Sequence, residues 1–166
     1  MLGACRNSPG TPPGPRPRYG AYPQPPLGAG HASVAYEPRP TAVREARREV
    51  RRHLEEWGLG VGGDLVETAE LLVSELATNA LLHSATPFRL TVSAAHGVLR
   101  CEVTDGGPRA PRALGAGRPP TAESGRGVFL VEALARRWGC HREGPGKTVW
   151  FELGTCGCGG CGRPRA

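Results

Sequence analysis

Glu75 and Asn79 stand four residues apart in the run Asp64 to His83, DLVETAELLVSELATNALLH, and His83 follows four residues later. Residues at i and i+4 of an α-helix stack on one side, so these polar side chains form a row. A polar amide beside a half-buried carboxylate at the edge of a buried helix face is either an accident or a site. The row asks for a reason, because Asn inside a helix is about half a kcal/mol worse than Ala. A second carboxylate, Asp105, continues the inward-facing alternation of Leu99, Cys101 and Val103. An ionised group facing a core is costly without hydrogen-bond donors. None of its sequence neighbours is an obvious donor, and the amine of a ligand would serve. Gly125 and Gly127 precede a third apolar pattern of helical spacing. Glycines at a helix start let backbone N–H groups approach an anion that the helix dipole favours. The plain alternatives are a core helix with two stray polar residues and a flexible loop end.

The surrounding pattern predicts the elements that hold these groups. Val66, Ala69, Val73, Leu76 and Ala80 fall on one stripe of the Asp64 to His83 run, with Asp64 as N-cap and Glu67 three residues on, the spacing of a capping box. Upstream, Ala32 to Tyr36 reads as a short strand. Thr41 is expected to cap a helix whose apolar stripe is Val43, Ala46, Val50, Leu54 and Trp57, ended by Gly58. Arg44, Arg47, Arg48, Arg51 and Arg52 occupy its other side, but Glu45, Glu49, Glu55 and Glu56 are interleaved, which reads as a solvated face rather than a nucleic-acid grip.

Downstream, Phe88, Leu90, Val92 and Ala94 alternate with polar residues, as do Leu99, Cys101 and Val103, and His96-Gly97 between them predicts a β-hairpin. Residues 106 to 124 hold four Gly and four Pro without periodicity, which reads as a long loop, either functional, such as a lid, or disordered. Val128, Val131, Leu134 and Trp138 then predict a helix running to Gly139. Residues 139 to 143 and 147 to 153 predict a hairpin around Gly144-Pro145-Gly146, with Val149, Phe151 and Leu153 inward.

Composition bounds the rest. The 166 residues carry 42 Gly and Pro together and a net charge of +6. Three of those charges are the arginines of residues 1–31 and two are Arg163 and Arg165, which leaves residues 32–153 with +1. A nearly neutral middle argues against direct nucleic-acid binding. Residues 1–31, with eight Pro and six Gly, are expected to be a disordered tail, and residues 154–166 a flexible Cys/Gly-rich one. No apolar run reaches the roughly 20 residues of a membrane span. Leu2-Gly3-Ala4-Cys5 has the look of a lipoprotein cleavage box, but nothing apolar precedes it, so the expected location is cytoplasmic with its six cysteines reduced. Cys156, Cys158 and Cys161 are soft ligands without an evident fourth partner for Zn²⁺.

The order Glu75-x3-Asn79-x3-His83, Asp105-x-Gly107, Gly125-x-Gly127 resembles the Bergerat-fold ATP-binding superfamily, the GHKL group of histidine kinases, type II topoisomerases and heat-shock chaperone ATPases. The wording ELATNALLH, VTDGGP, GRGVFLVEALARRWG and GKTVWFEL is similar to the anti-sigma-factor serine/threonine kinases, over about residues 32 to 153. The resemblance implies an α/β fold, a two-layer sandwich with a mixed sheet of about five strands and three helices on one face, binding ATP with Mg²⁺.

By that resemblance Asn79 binds the Mg²⁺, and Glu75 is general base or orients the nucleophile. Asp105 accepts from the adenine amine, Gly107 gives the base room, and the amides of Gly125, Arg126 and Gly127 hold phosphates. Thr148 belongs to the last box, and His83 either meets the phosphates or simply ends the helix. The implied activity is an ATP-dependent protein serine/threonine kinase, its substrate a small antagonist protein and its second partner a sigma factor. A homodimer is left open. An ATP-dependent binding module without phosphoryl transfer needs the same pocket and is the alternative. Two places depart from the family pattern: Arg109 stands for the second Gly of the Asp-x-Gly-x-Gly box, and Lys147 takes the inward position after Gly146, which puts Thr148 on the outward parity.

Overall fold

A computed structural model describes residues 30–59, 64–107 and 123–155 of the chain. Strand β1 (His31–Tyr36) leads into helix α1 (Thr41–Glu56), helix α2 (Asp64–His83), the hairpin β2 (Phe88–Ala95) and β3 (Val98–Asp105), helix α3 (Glu123–Leu134), and the hairpin β4 (Arg137–Glu143) and β5 (Gly146–Gly154). Of the expected tails 1–31 and 154–166, His31 opens β1 and Gly154 closes β5, while residues 1–29 and 156–166, with Cys5, Cys156, Cys158 and Cys161, lie outside the described residues, as does Arg109 with most of the 106–124 loop.

The five strands lie in the order β1-β2-β3-β5-β4. Every neighbouring pair is antiparallel, where a mixed sheet was expected. The single-helix crossover from β3 through α3 does make β4 run in the sense of β3. The last hairpin then inserts β5 between them, so no parallel neighbours result. Alternation decides the layers. Phe88, Leu90, Val92 and Ala94 of β2, Leu99, Cys101 and Val103 of β3, and Val149, Phe151 and Leu153 of β5 are buried on one face under the helices. Full burial of a side chain such as Phe151 stabilises by about 1.5–3 kcal/mol. The opposite face carries polar side chains, among them Arg100, which stacks 3.9 Å over the Trp150 ring and bonds Glu102 and Glu152.

Helix α2 is the central helix, packed against α1 on one side and α3 on the other. Its predicted stripe is buried as expected, and Leu72 and Ala77 widen it. Arg51 of α1 clamps the buried Glu70 of α2 in a bidentate pair at 3.0 and 2.6 Å. Such fork-to-fork geometry fixes the relative rotation of two helices.

Two boundary expectations change. Thr41 is the first helical residue and not the cap; Pro40 precedes it without a side-chain cap bond, since its ring offers none. Helix α3 starts earlier, at Glu123, and stops at Leu134. Trp138 and Gly139 belong to β4, where they pair with Phe151 and Trp150. The spacing of Trp138 from Leu134 imitates a helical turn, but sheet pairing of β4 with β5 outcompetes it, beginning with the Arg136 N–H donating to the Glu152 carbonyl.

Candidate functional site

The carboxyl end of β3 meets the carboxyl end of α2. Ser84 N–H closes α2 on the Ala80 carbonyl, and the short turn beyond holds Thr86, whose hydroxyl accepts from the Gly106 amide at 2.9 Å. Gly107 is buried in the corner so formed. A Cβ there would lie 2.9 Å from Asp105 Oδ1, 2.9 Å from Ser84 Cβ and 3.0 Å from the His83 carbonyl, so only glycine fits without displacement.

Asp105 points to the helix side, as its parity predicts, and is 4% exposed. Its donors come from within the chain, against the expectation that none was at hand. The Gly107 amide donates to Oδ1 at 2.7 Å and the ammonium of Lys147 donates to the same oxygen at 3.0 Å. Lys147 stands directly opposite Asp105 in the β3–β5 register and is 1% exposed. Oδ2 receives no bond from the described residues. Gly146, the residue before Lys147, presses on the same spot: a Cβ there would lie 2.3 Å from the Asp105 carbonyl oxygen.

Two turns back along α2, Glu75 faces the start of α3. A Cβ on Gly127 would lie 2.6 Å from Glu75 Oε2, so the absence of a side chain at Gly127 is what lets α3 approach that carboxylate. Asn79 lies between the two ends of the row, one turn from Glu75 and one from His83, each step about 6 Å along the helix. Glu75, Asn79 and His83 are half-buried, and none of their side chains bonds another described residue. Their neighbours on α2 are satisfied: Glu70 by Arg51, and Ser74 by the Glu70 carbonyl at 2.7 Å. With no partner among the described residues, these polar groups must be satisfied by solvent or by groups beyond them.

Of the helix-start residues, Gly125 lies in the first turn of α3, where backbone amides have no intrahelical acceptor, and Arg126 and Gly127 follow it. Thr148 is not brought to the site. It lies on the opposite face of the sheet from Asp105, where its hydroxyl pairs with that of Thr104 at 2.8 Å. The missed residue is Lys147. Its inward parity was readable, but its pairing with Asp105 depended on a register that 41 intervening residues separate. Among the described residues no group of three or more His, Cys, Asp or Glu side chains could hold a metal ion. The Asn79 amide, without a partner among the described residues, offers a hard oxygen of the kind that would suit Mg²⁺.

A buried carboxylate at the end of β3, a carboxylate against a glycine-opened helix start on α2, and between them an amide with no partner among the described residues lie along one seam of the α/β sandwich. Comparison with known proteins gives the family. Residues 36–153 match the histidine kinase-like ATPase domain, and the chain belongs to that family. An uncharacterized protein of Streptomyces coelicolor is 40% identical over 84 residues, covering 48% of this chain and 79% of its own. Among solved structures, the RsbU and RsbW domains of a Mycobacterium tuberculosis protein superpose with a TM-score of 0.57 at 19% identity, over 74% of this chain and 32% of that one. At that identity the likeness is one of fold, and this chain spans about a third of that protein's length. The nucleotide-free catalytic domain of the histidine kinase ThkA has a TM-score of 0.44 at 16% identity over 75% of this chain and 96% of that chain, too low to add an argument.

Proposed function

We propose that this histidine kinase-like ATPase domain is a regulatory protein serine/threonine kinase of the anti-sigma type, acting on a small antagonist protein and also sequestering a sigma factor. The observation that carries this reading is the row on α2. Among the described residues Glu75 and Asn79 have no side-chain partner, and the missing side chain of Gly127 lets the start of α3 approach Glu75.

In this reading Asp105 accepts the adenine amine, Gly107 leaves room for the base, and the amides near Gly125 and Arg126 face the phosphates. Asn79 would hold a Mg²⁺, which would neutralise charge on the phosphates when bound. The hydroxyl oxygen of a substrate Ser or Thr forms a bond to the γ-phosphorus as the bond to the β,γ-bridging oxygen breaks, and Glu75 takes the hydroxyl proton. Phosphoryl transfer asks for positioning and electrostatics more than for covalent chemistry by the protein. His83, one turn beyond Asn79, lines the same row. A protein with an RsbW domain shares this fold.

The test is incubation with γ-labelled ATP and candidate antagonist proteins from the same genome. Label should appear on a Ser or Thr of one partner and vanish with Glu75→Ala. ATP binding with no partner labelled would instead make the chain a nucleotide-gated binding module.

A further inference from the structure

Lys147 is a buried cation that the proposed phosphoryl transfer does not use. An ammonium carries three N–H donors. Here one of them meets Asp105 Oδ1 at 3.0 Å, and the described residues offer no acceptor to the others. Leaving donors of a charged group unmet in a buried place is costly, and Lys147 is 1% exposed. The carboxylate beside it shows the complementary pattern: both bonds fall on Oδ1, and Oδ2 takes none from the described residues. An acceptor oxygen and a cationic donor therefore stand side by side, one on β3 and one on β5, fixed by direct register opposition.

Such a pair is complementary to an edge on which an N–H donor neighbours a lone-pair acceptor. Adenine has that edge on either side of its exocyclic amine, with ring nitrogen N1 on one side and N7 on the other. We propose that Lys147 is a second base-reading residue: while Asp105 accepts from the adenine amine, the Lys147 ammonium donates to the adjacent ring nitrogen. This rests on the reading of Asp105 as the base acceptor. It adds a specificity-determining cation whose removal changes which ring atoms matter. Burial strengthens the contact, because water competes little for either partner.

The experiment compares ATP with 1-deaza-ATP and 7-deaza-ATP, each lacking one ring nitrogen, by calorimetric titration of the full chain with Mg²⁺. Wild-type protein should bind one of the two analogues about tenfold more weakly than ATP, as expected for a lost bond to a charged donor. Lys147→Met should bind that same analogue within about twofold of ATP. Lys147→Thr, whose hydroxyl can still donate to Asp105, gives the same comparison if the methionine variant folds poorly.

An analogue preference unchanged between wild type and both variants overturns the proposal while leaving the nucleotide reading intact. Variants that bind ATP more tightly than wild type, with unchanged analogue ratios, would make Lys147 a plug on Asp105 and overturn it equally. A wild-type chain that binds none of the three nucleotides overturns this proposal and the proposed function together.

Discussion

Asp105 and Lys147 are the two charges that the core encloses face to face. Removing one partner of a buried pair strands the other, at a cost of about 3–5 kcal/mol. Asp105→Asn and Lys147→Met should each lower stability by about 3 kcal/mol, whereas the double variant should cost clearly less than the sum. Urea denaturation of the four proteins checks this. Additive losses would mean that the pair does not act as a unit. Cys101 offers a second residue-scale test. Burial, with Glu102 adding to it, pushes its thiol well above the ordinary range. The unfolded thiol, with a pKa of about 8.5, gives up its proton first, so alkali favours the unfolded chain. The stability Cys101 contributes should be fully present below about pH 8 and fall by up to about 1.4 kcal/mol per pH unit above about pH 9. Cys101→Ala should flatten that decline, read as melting temperature against pH between about pH 9 and pH 10; above that Tyr36, pushed up to about 12 by burial and the nearby glutamates, adds a decline of its own because the unfolded tyrosine titrates near 10.

At the scale of elements, two glycines do different work. Gly58 ends α1 with φ at +71°, its amide bonding the Glu55 carbonyl while Leu59 N–H reaches back to Leu54 at 2.8 Å. Gly58→Ala should cost about 1 kcal/mol of stability and leave nucleotide binding alone. Gly127→Ala should do the reverse: its methyl group would meet Glu75 Oε2, so either the carboxylate or the start of α3 must move. Thermal unfolding and nucleotide titration on both variants separate the two effects, and equal losses in both assays would deny Gly127 its place at the site. The same elements show what sequence reading reaches. The 3.6-residue stripe of α2 and its row of polar residues were legible because helical periodicity is local. The His96-Gly97 turn was legible for the same reason, and both its residues have positive φ. The end of α3 was not, because Trp138 fits a helical spacing and only pairing with Phe151 across the sheet decides otherwise. Nor was the Lys147–Asp105 contact, which is a matter of register between strands far apart in the chain.

For the whole molecule, the site is a seam. Asp105 and Lys147 belong to the sheet, Glu75 and Asn79 to α2, and Gly127 to α3, so one ligand touching all of them ties the two layers together. A ligand that binds the folded chain and not the unfolded one stabilises it by about 2.7 kcal/mol at a hundredfold excess over its Kd. For a domain of about 120 residues, with an unfolding entropy of about 2.1 cal/mol/K per residue, that raises the melting temperature by about 10 °C. Mg·ATP should therefore give a shift of that order, and the variants should divide by the end of the seam they touch. Glu75→Gln should keep the shift, since in the proposed transfer it alters the proton acceptor and not the grip on the nucleotide. Asn79→Ala should keep a smaller shift that no longer responds to Mg²⁺. Asp105→Asn should lose most of it, once each protein is compared with its own ligand-free melting point to remove the cost of stranding Lys147. Differential scanning fluorimetry with and without Mg²⁺ reads all four proteins. An Asp105→Asn shift as large as that of wild type would place the base elsewhere and detach the sheet from the site, because no other described carboxylate faces the helices from the end of β3.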